Sequence, residues 1–183
     1  MRHGESLANR EGILLSDPAL GVPGYGLTSE GREQVSCSIR AAARLFAQPT
    51  ALLIVSSDFL RAKETAQIAR AELRCSREIE FTELLRERSF GPYSSLKVSE
   101  YKVIADGPQG KELLLAAGVE TPSAMRDRGI VVLQRLEACY QGQEVLLVGH
   151  GDPLQVLRVV FLGMPPESFR EIPYMQNAEI LKI

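Results

Sequence analysis

The chain holds two histidines, and both stand in settings suited to chemistry. His3 lies in MRHGESLAN, between Arg2 and Gly4, with Glu5 and Asn9 close behind; His150 lies between two glycines in VLLVGHGD. A neutral imidazole can act as nucleophile or base, and an adjacent guanidinium offers forked donors that match carboxylate or phosphate oxygens. Two histidines are too few for most multi-histidine metal sites. Arg61 in SSDFLRAKETA and Glu87 in LLRERSFG are further candidates. Each has a plainer reading. Arg61 could be a solvated helix residue, and Glu87 belongs to a charged run with Glu83, Arg86 and Arg88 that is typical of a wet surface. The pattern carries weight only if the fold brings these side chains together.

The elements that would do so can be read from periodicity. ALLIVSS (51–57) and EVLLVGHG (144–151) are short apolar runs, consistent with strands buried on both faces, and EIEFTE (78–83) alternates. Helical spacing runs through 27–48, where Val35, Ile39, Ala42 and Phe46 share a face, and through 58–73. A third helix spans 121–142, with Thr121 as N-cap, Pro122 in the first turn and Gly142 past its end. DPLQVLRVVFLG continues as a fourth helix, and AEILKI (178–183) reads as a final strand. Residues 88–118, punctuated by Gly91, Pro92, Gly107, Pro108 and Gly110, form a cap-like excursion over one end. Strands alternating with helices predict an α/β fold, a three-layer α/β/α sandwich with a mainly parallel sheet, in one domain over 1–183. In such sheets ligands bind where strands end and helix N-termini point. Arg61, Glu87 and His150 all fall there.

A net charge of −2 provides no global field for nucleic acid or anionic lipid, so any anion must be held by locally placed arginines. No apolar stretch reaches the ~20 residues of a membrane span. The cysteines, Cys37, Cys75 and Cys139, are odd in number and form no CxxC pair, which suits a reducing cytoplasm; their helical settings predict small buried side chains. GHGDPL resembles half of a dinucleotide fingerprint, but Leu154 holds the third glycine position, and GHGDP lacks the serine of a nucleophile elbow.

RHGES with Asn9, then YGLTSEGREQ, SSDFLRAKETA, LRERSFG and VLLVGHGD, in that order, resemble the histidine phosphatase superfamily, the phosphoglycerate mutase-like fold. The likeness runs along nearly the whole chain. It implies a phosphatase acting on a small phosphomonoester, with neither metal nor cofactor. His3 would be the nucleophile, and Arg2, Arg61 and His150 would form the phosphate pocket. Asn9 and Gly151 would touch the phosphate, and Glu87 would be the proton donor. The chemistry is coherent: phosphoryl transfer needs positioning and neutralised charge, and a bound phosphate dianion would raise the Glu87 pKa. A phosphoglycerate mutase activity is a second reading. It is disfavoured by the short segment after Glu87, which lacks the paired arginines of the mutase insertion. A non-catalytic phosphate-binding scaffold is a third, because GPYSS (91–95) replaces the family's usual G-x-x-E-G. The resemblance also implies that RHG ends a central strand of about five apolar residues. Met1 stands where that strand should finish, so the first central strand is expected to be missing before Arg2. That would leave His3 loosely held, and apolar residues added ahead of Arg2 would raise stability and activity.

Overall fold

The computed structural model describes residues 1–182. A parallel sheet lies at its centre, with strands β1 (Leu53–Ser57), β2 (Glu80–Thr82) and β3 (Val145–Val148) in the order β2-β1-β3. β1 is the middle strand and is buried at all of its positions, as its unbroken apolar run requires. Val55 pairs with Glu80 on one side and Leu147 on the other. Alternation along the strands sends Ile54, Leu146 and Val148 to one face. There they pack against Val35 and Ile39 of α3 (Ser29–Ala42) and Ala62, Ala66 and Ala69 of α4 (Leu60–Leu73). Leu53 and Val55 point the other way, onto Val132 and Leu136 of α7 (Pro122–Cys139). α8 (Gly151–Phe161) completes that layer through Val156 and Val159 against Met125 and Phe169.

Helix boundaries follow local chemistry. The Thr28 hydroxyl accepts from Gly31 N–H and starts α3, and Thr121 does the same for α7 with Pro122 in the first turn. The helix expected over 27–48 stops at Ala42 and tightens into one 3-10 turn. The short helices α1 (Leu7–Glu11) and α2 (Pro18–Gly21) carry the chain past the site. The segment 88–118 holds a 3-10 turn (Gly91–Tyr93), α5 (Val98–Ala105) and α6 (Gly110–Ala116), gathered on Phe90, Tyr101 and Val119.

Three expectations need correction. The segment 178–182 is not a strand, and Ile183 lies outside the described residues; Ala178 adopts φ +60°, which turns the chain where an extended run would have to continue. Cys37 and Cys139 are exposed, because the core face of α3 runs through Val35, Ile39 and Ala42 and turns Cys37 outward. Cys75 alone is buried, just past the end of α4. Nor is His3 loosely held. Met1–His3 lie parallel to β3: Met1 N donates to Leu147 O, Gly149 N–H to Met1 O, and His3 N–H to Gly149 O. The C-terminal segment holds the other edge, with Arg2 N–H donating to Glu179 O and Ala178 N–H to His3 O. Burial pulls the Met1 amine down to about 5, so it sits there uncharged at neutral pH. An apolar cavity of about 370 Å³ lies beside β3, lined by Met1, Val145, Leu147, Leu154 and Ile180.

The backbone after His3 is wedged over α3. A Cβ on Gly31 would stand 2.0 Å from Glu5 O, and one on Gly4 would stand 2.4 Å from Gly31 O. Only bare Cα atoms allow that crossing. Gly31→Ala should therefore cost about 1–3 kcal/mol of overpacking, lowering the melting temperature by roughly 3–10 °C. An unchanged thermal transition would contradict this crossing.

Candidate active site

The sheet sets the site. His150 follows β3, Arg61 lies in the first turn of α4 after β1, Glu87 follows the 3-10 turn after β2, and His3 leaves the segment paired to β3. All four thus emerge at the same end of adjacent parallel chains. The imidazole centroids of His3 and His150 are 5.1 Å apart, with the rings at 64°. Between them the Arg61 Nε–H is shared, 3.1 Å from His3 Nε2 and 3.2 Å from His150 Nδ1.

These contacts fix the protonation of both rings. His3 Nδ1 is 2.7 Å from Gly4 O, which can only accept, so Nδ1 carries the hydrogen and Nε2 is bare toward Arg61. His150 Nδ1 accepts from Arg61, so its hydrogen is on Nε2, 2.9 Å from the Ser57 hydroxyl. Burial, followed by the Arg61 charge, holds both rings well below the usual imidazole range. Both are neutral at physiological pH.

The arginines are buried cations short of anions. Arg61 is 3% exposed; Nη2 donates to Leu15 O at 2.9 Å, and Nη1 has no partner. Burial pulls its pKa to about 10, which leaves it charged at neutral pH. Arg2 lies over the Tyr174 ring and donates through Nη1 to Met175 O at 2.6 Å, while its Nε is buried and unpartnered. Among the described residues, neither guanidinium has a carboxylate within 4 Å. Asn9 Oδ1 is taken up by Ser6 N–H, Ser6 Oγ and Asn177 Nδ2, which leaves its NH₂ as the free donor. Gly151 opens α8 beneath Tyr174, so closely that a Cβ would stand 2.1 Å from the phenol oxygen. Arg2, His3, Asn9, Arg61 and Glu87 line one cavity of about 450 Å³. Among the described residues, no group of three or more His, Cys, Asp or Glu side chains could hold a metal ion, and no helix is long and apolar enough to cross a membrane.

Glu87 is half-buried, with Oε1 accepting from Arg88 N–H at 2.8 Å. Its pKa is pushed up to about 7 by burial first and then by the Asp152 charge, against the pull of Arg61 and Arg2. A substantial protonated fraction therefore exists at neutral pH without the phosphate dianion on which the sequence reading relied. Asp152, 8% exposed, accepts from the Tyr174 hydroxyl at 2.7 Å and faces Arg88 Nη1 at 3.5 Å. Sequence reasoning passed over it, although it stands inside GHGDP. Ser57, Leu15 and Tyr174 were also missed, and no local signal marks them. In the charged run only Glu83 is on a wet surface: Arg86 pairs with Asp58 at 2.5 Å and Arg88 is buried. Asp152→Asn should move the Glu87 titration from about 7 toward the ordinary carboxylate range, followed by carboxyl-carbon NMR. A midpoint that stays near 7 would show that Asp152 does not act on it.

The sequence profile of the histidine phosphatase superfamily, branch 1, matches residues 1–183. Phosphoglycerate mutase-like protein 4 of Arabidopsis thaliana is 30% identical over 187 residues, covering 98% of this chain and 75% of that protein. Glucosyl-3-phosphoglycerate phosphatase of Mycolicibacterium vanbaalenii is 27% identical over 198 residues, covering 100% and 81%. The structure of a mycobacterial glucosyl-3-phosphoglycerate phosphatase complexed with VO3 superposes with a TM-score of 0.76 at 25% identity, over 97% of this chain and 87% of that one. With two histidines and a buried arginine gathered at the strand ends, and a match spanning the whole sequence, the chain belongs to the histidine phosphatase superfamily and is an enzyme of the phosphatase kind.

Proposed function

We propose that this protein hydrolyses small phosphomonoesters in two steps through a phosphohistidine on His3. The observation that carries the reading is a pair of buried guanidinium groups with unpartnered N–H, Arg2 Nε and Arg61 Nη1, beside an imidazole whose bare Nε2 faces them. A phosphoryl group supplies the missing anion and the electrophile at once.

In the first step the His3 Nε2 lone pair attacks phosphorus. The bond to the ester oxygen breaks, and the Glu87 proton goes to the departing alkoxide. In the second, water attacks the phosphoryl group, its proton returns to the Glu87 carboxylate, and the P–N bond breaks to release phosphate. Arg2 and Arg61 neutralise the equatorial oxygens, and the neutral His150, the amide of Asn9 and the backbone of Gly151 help to orient them. The guanidinium groups carry the positive charge, so no step is routed through a metal or other cofactor. Residues 1–183 act as one domain in which 88–118 closes over the leaving group. A mutase reading finds less support, since no arginine occurs between Ser89 and Met125. We place the activity in the cytoplasm, where reducing conditions suit the free cysteines Cys37, Cys75 and Cys139.

Brief incubation with a radiolabelled phosphomonoester followed by alkaline quench should leave acid-labile phosphate on His3, and His3→Ala should carry none. Equal labelling of the variant would sink the nucleophile. Glu87→Gln should slow alkyl phosphates by about 10²–10⁴ and aryl phosphates, whose leaving groups need less protonation, far less. Equal slowing of both classes would remove the acid role. For alkyl substrates, kcat/KM should fall as pH rises through about 7, because the free protein loses the acid form of Glu87 there. A profile that stays flat from pH 6 to 8 would contradict that assignment.

A further inference from the structure

Glu87 stands on a connection that belongs to no helix or strand, after the 3-10 turn Glu83–Leu85 and before the turn Gly91–Tyr93. A proton donor has to be held within hydrogen-bond reach of the departing oxygen. Regular structure does not hold this one. An ion pair does. Glu120 precedes the Thr121 cap of α7, and Arg128 lies two turns further along that helix. The guanidinium grips the carboxylate with two N–H groups, Nε to Oε1 at 2.6 Å and Nη2 to Oε2 at 3.1 Å. The two side chains are only 16% and 15% exposed.

Their remaining groups hold main chain on both sides of Glu87. Before it, Arg128 Nη1 donates to Leu84 O at 2.6 Å, and Nη2 reaches Glu87 O itself at 3.5 Å. After it, Ser89 N–H donates to Glu120 Oε2 at 3.0 Å, and Glu120 N–H donates to Ser89 O at 2.8 Å. Arg88 Nε also donates to Glu120 O at 2.8 Å, which ties down the residue whose N–H meets the Glu87 carboxyl. Glu87 lines the catalytic cavity, whereas Glu120 and Arg128 do not. Paired in this way, the two charges offset each other, and what they supply to Glu87 is position.

We propose that Arg128 and Glu120 are positioning residues for the proton donor, acting on the reaction through Glu87 alone. The proposal rests on the hydrolase reading given above and, within it, on the acid role of Glu87. A lysine at 128 would keep the charge beside Glu120, so no buried carboxylate is left unpaired. It would lack the planar fork that spans two carboxylate oxygens and Leu84 O at once. The segment would then loosen at the acid and stay unchanged at His3, which hangs from β3 and 178–179.

The test measures kcat/KM for an alkyl and an aryl phosphate in Arg128→Lys, at a temperature well below its recorded thermal transition. Alkyl hydrolysis should slow by about 10- to 100-fold, the scale of a misplacement near 1 Å. The aryl ester, which needs little protonation, should slow by less than about threefold. Glu120→Gln, which disturbs the pair from its other side, should show the same selective loss. A third variant joins Arg128→Lys to Glu87→Gln. With the acid gone, the added lysine should change the alkyl rate by less than about twofold. A loss shared equally by both esters, or one undiminished in the double variant, would mark a purely structural pair and overturn the proposal. So would a wild-type ratio of alkyl to aryl rates in both single variants. Equal slowing of both esters by Glu87→Gln alone would instead remove the acid role, and the clamp with it, so the two failures are distinguishable.

Discussion

Everything at this site depends on one buried cation. Arg61 lies between two imidazoles with one N–H shared by both, and it has no carboxylate in ion-pairing reach. Removing a guanidinium from water without a counter-ion costs several kcal/mol, and the protein meets that cost only in part, through Leu15 O and the two ring nitrogens. The consequences spread outward. Burial first, and then a positive charge at about 3 Å, keep both histidines from protonating, and the Arg61 N–H leaves Nε2 of His3 as an acceptor. That charge also makes a dianion the natural occupant of the space in front of it. The same field pulls the Glu87 pKa down, against burial and Asp152, which push it up. A neutral nucleophile and a poised acid thus share one leading cause, burial, which Arg61 reinforces at His3 and opposes at Glu87.

Holding such a group demands rigidity around it, and the fold provides this with backbone. Met1–His3 are bonded on one side to β3 and on the other to 178–179, so the nucleophile is fixed by main-chain pairs on both edges. The contact of Gly31 with Glu5 clamps the next residues from below. Gly4 O then sets the His3 tautomer, and the Arg61 N–H sets that of His150, whose Nε2–H meets Ser57 at the end of the central strand. Each partner comes from the end of a strand or from the turn beyond one, where register fixes position most tightly.

Much of this was legible in the sequence. Continuous apolar runs marked β1 and β3, Thr121 marked a helix start, and the RHG and GHG tripeptides marked the two rings. The core face of α3, through Val35, Ile39 and Ala42, was marked by its helical spacing. The rest was hidden for physical reasons. A run such as AEILKI has strand-like composition, yet a left-handed turn at Ala178 decides its shape, and composition does not encode that turn. Cys37 and Cys139 sit on helices, but helical phase turns them to solvent. Asp152 was in plain view beside His150, but its partners, Tyr174 and Arg88, lie far off in sequence and meet it only through tertiary packing.

The central claim is that both imidazoles are neutral, with opposite tautomers set by Arg61 and their second partners. Side-chain 15N NMR of selectively labelled histidine, recorded from pH 8 to pH 6, tests it directly. The account predicts a protonated Nδ1 and a bare Nε2 for His3, the reverse for His150, and no titration of either ring over that range. A ring that protonates near pH 6.5, or a hydrogen on His3 Nε2, would contradict it.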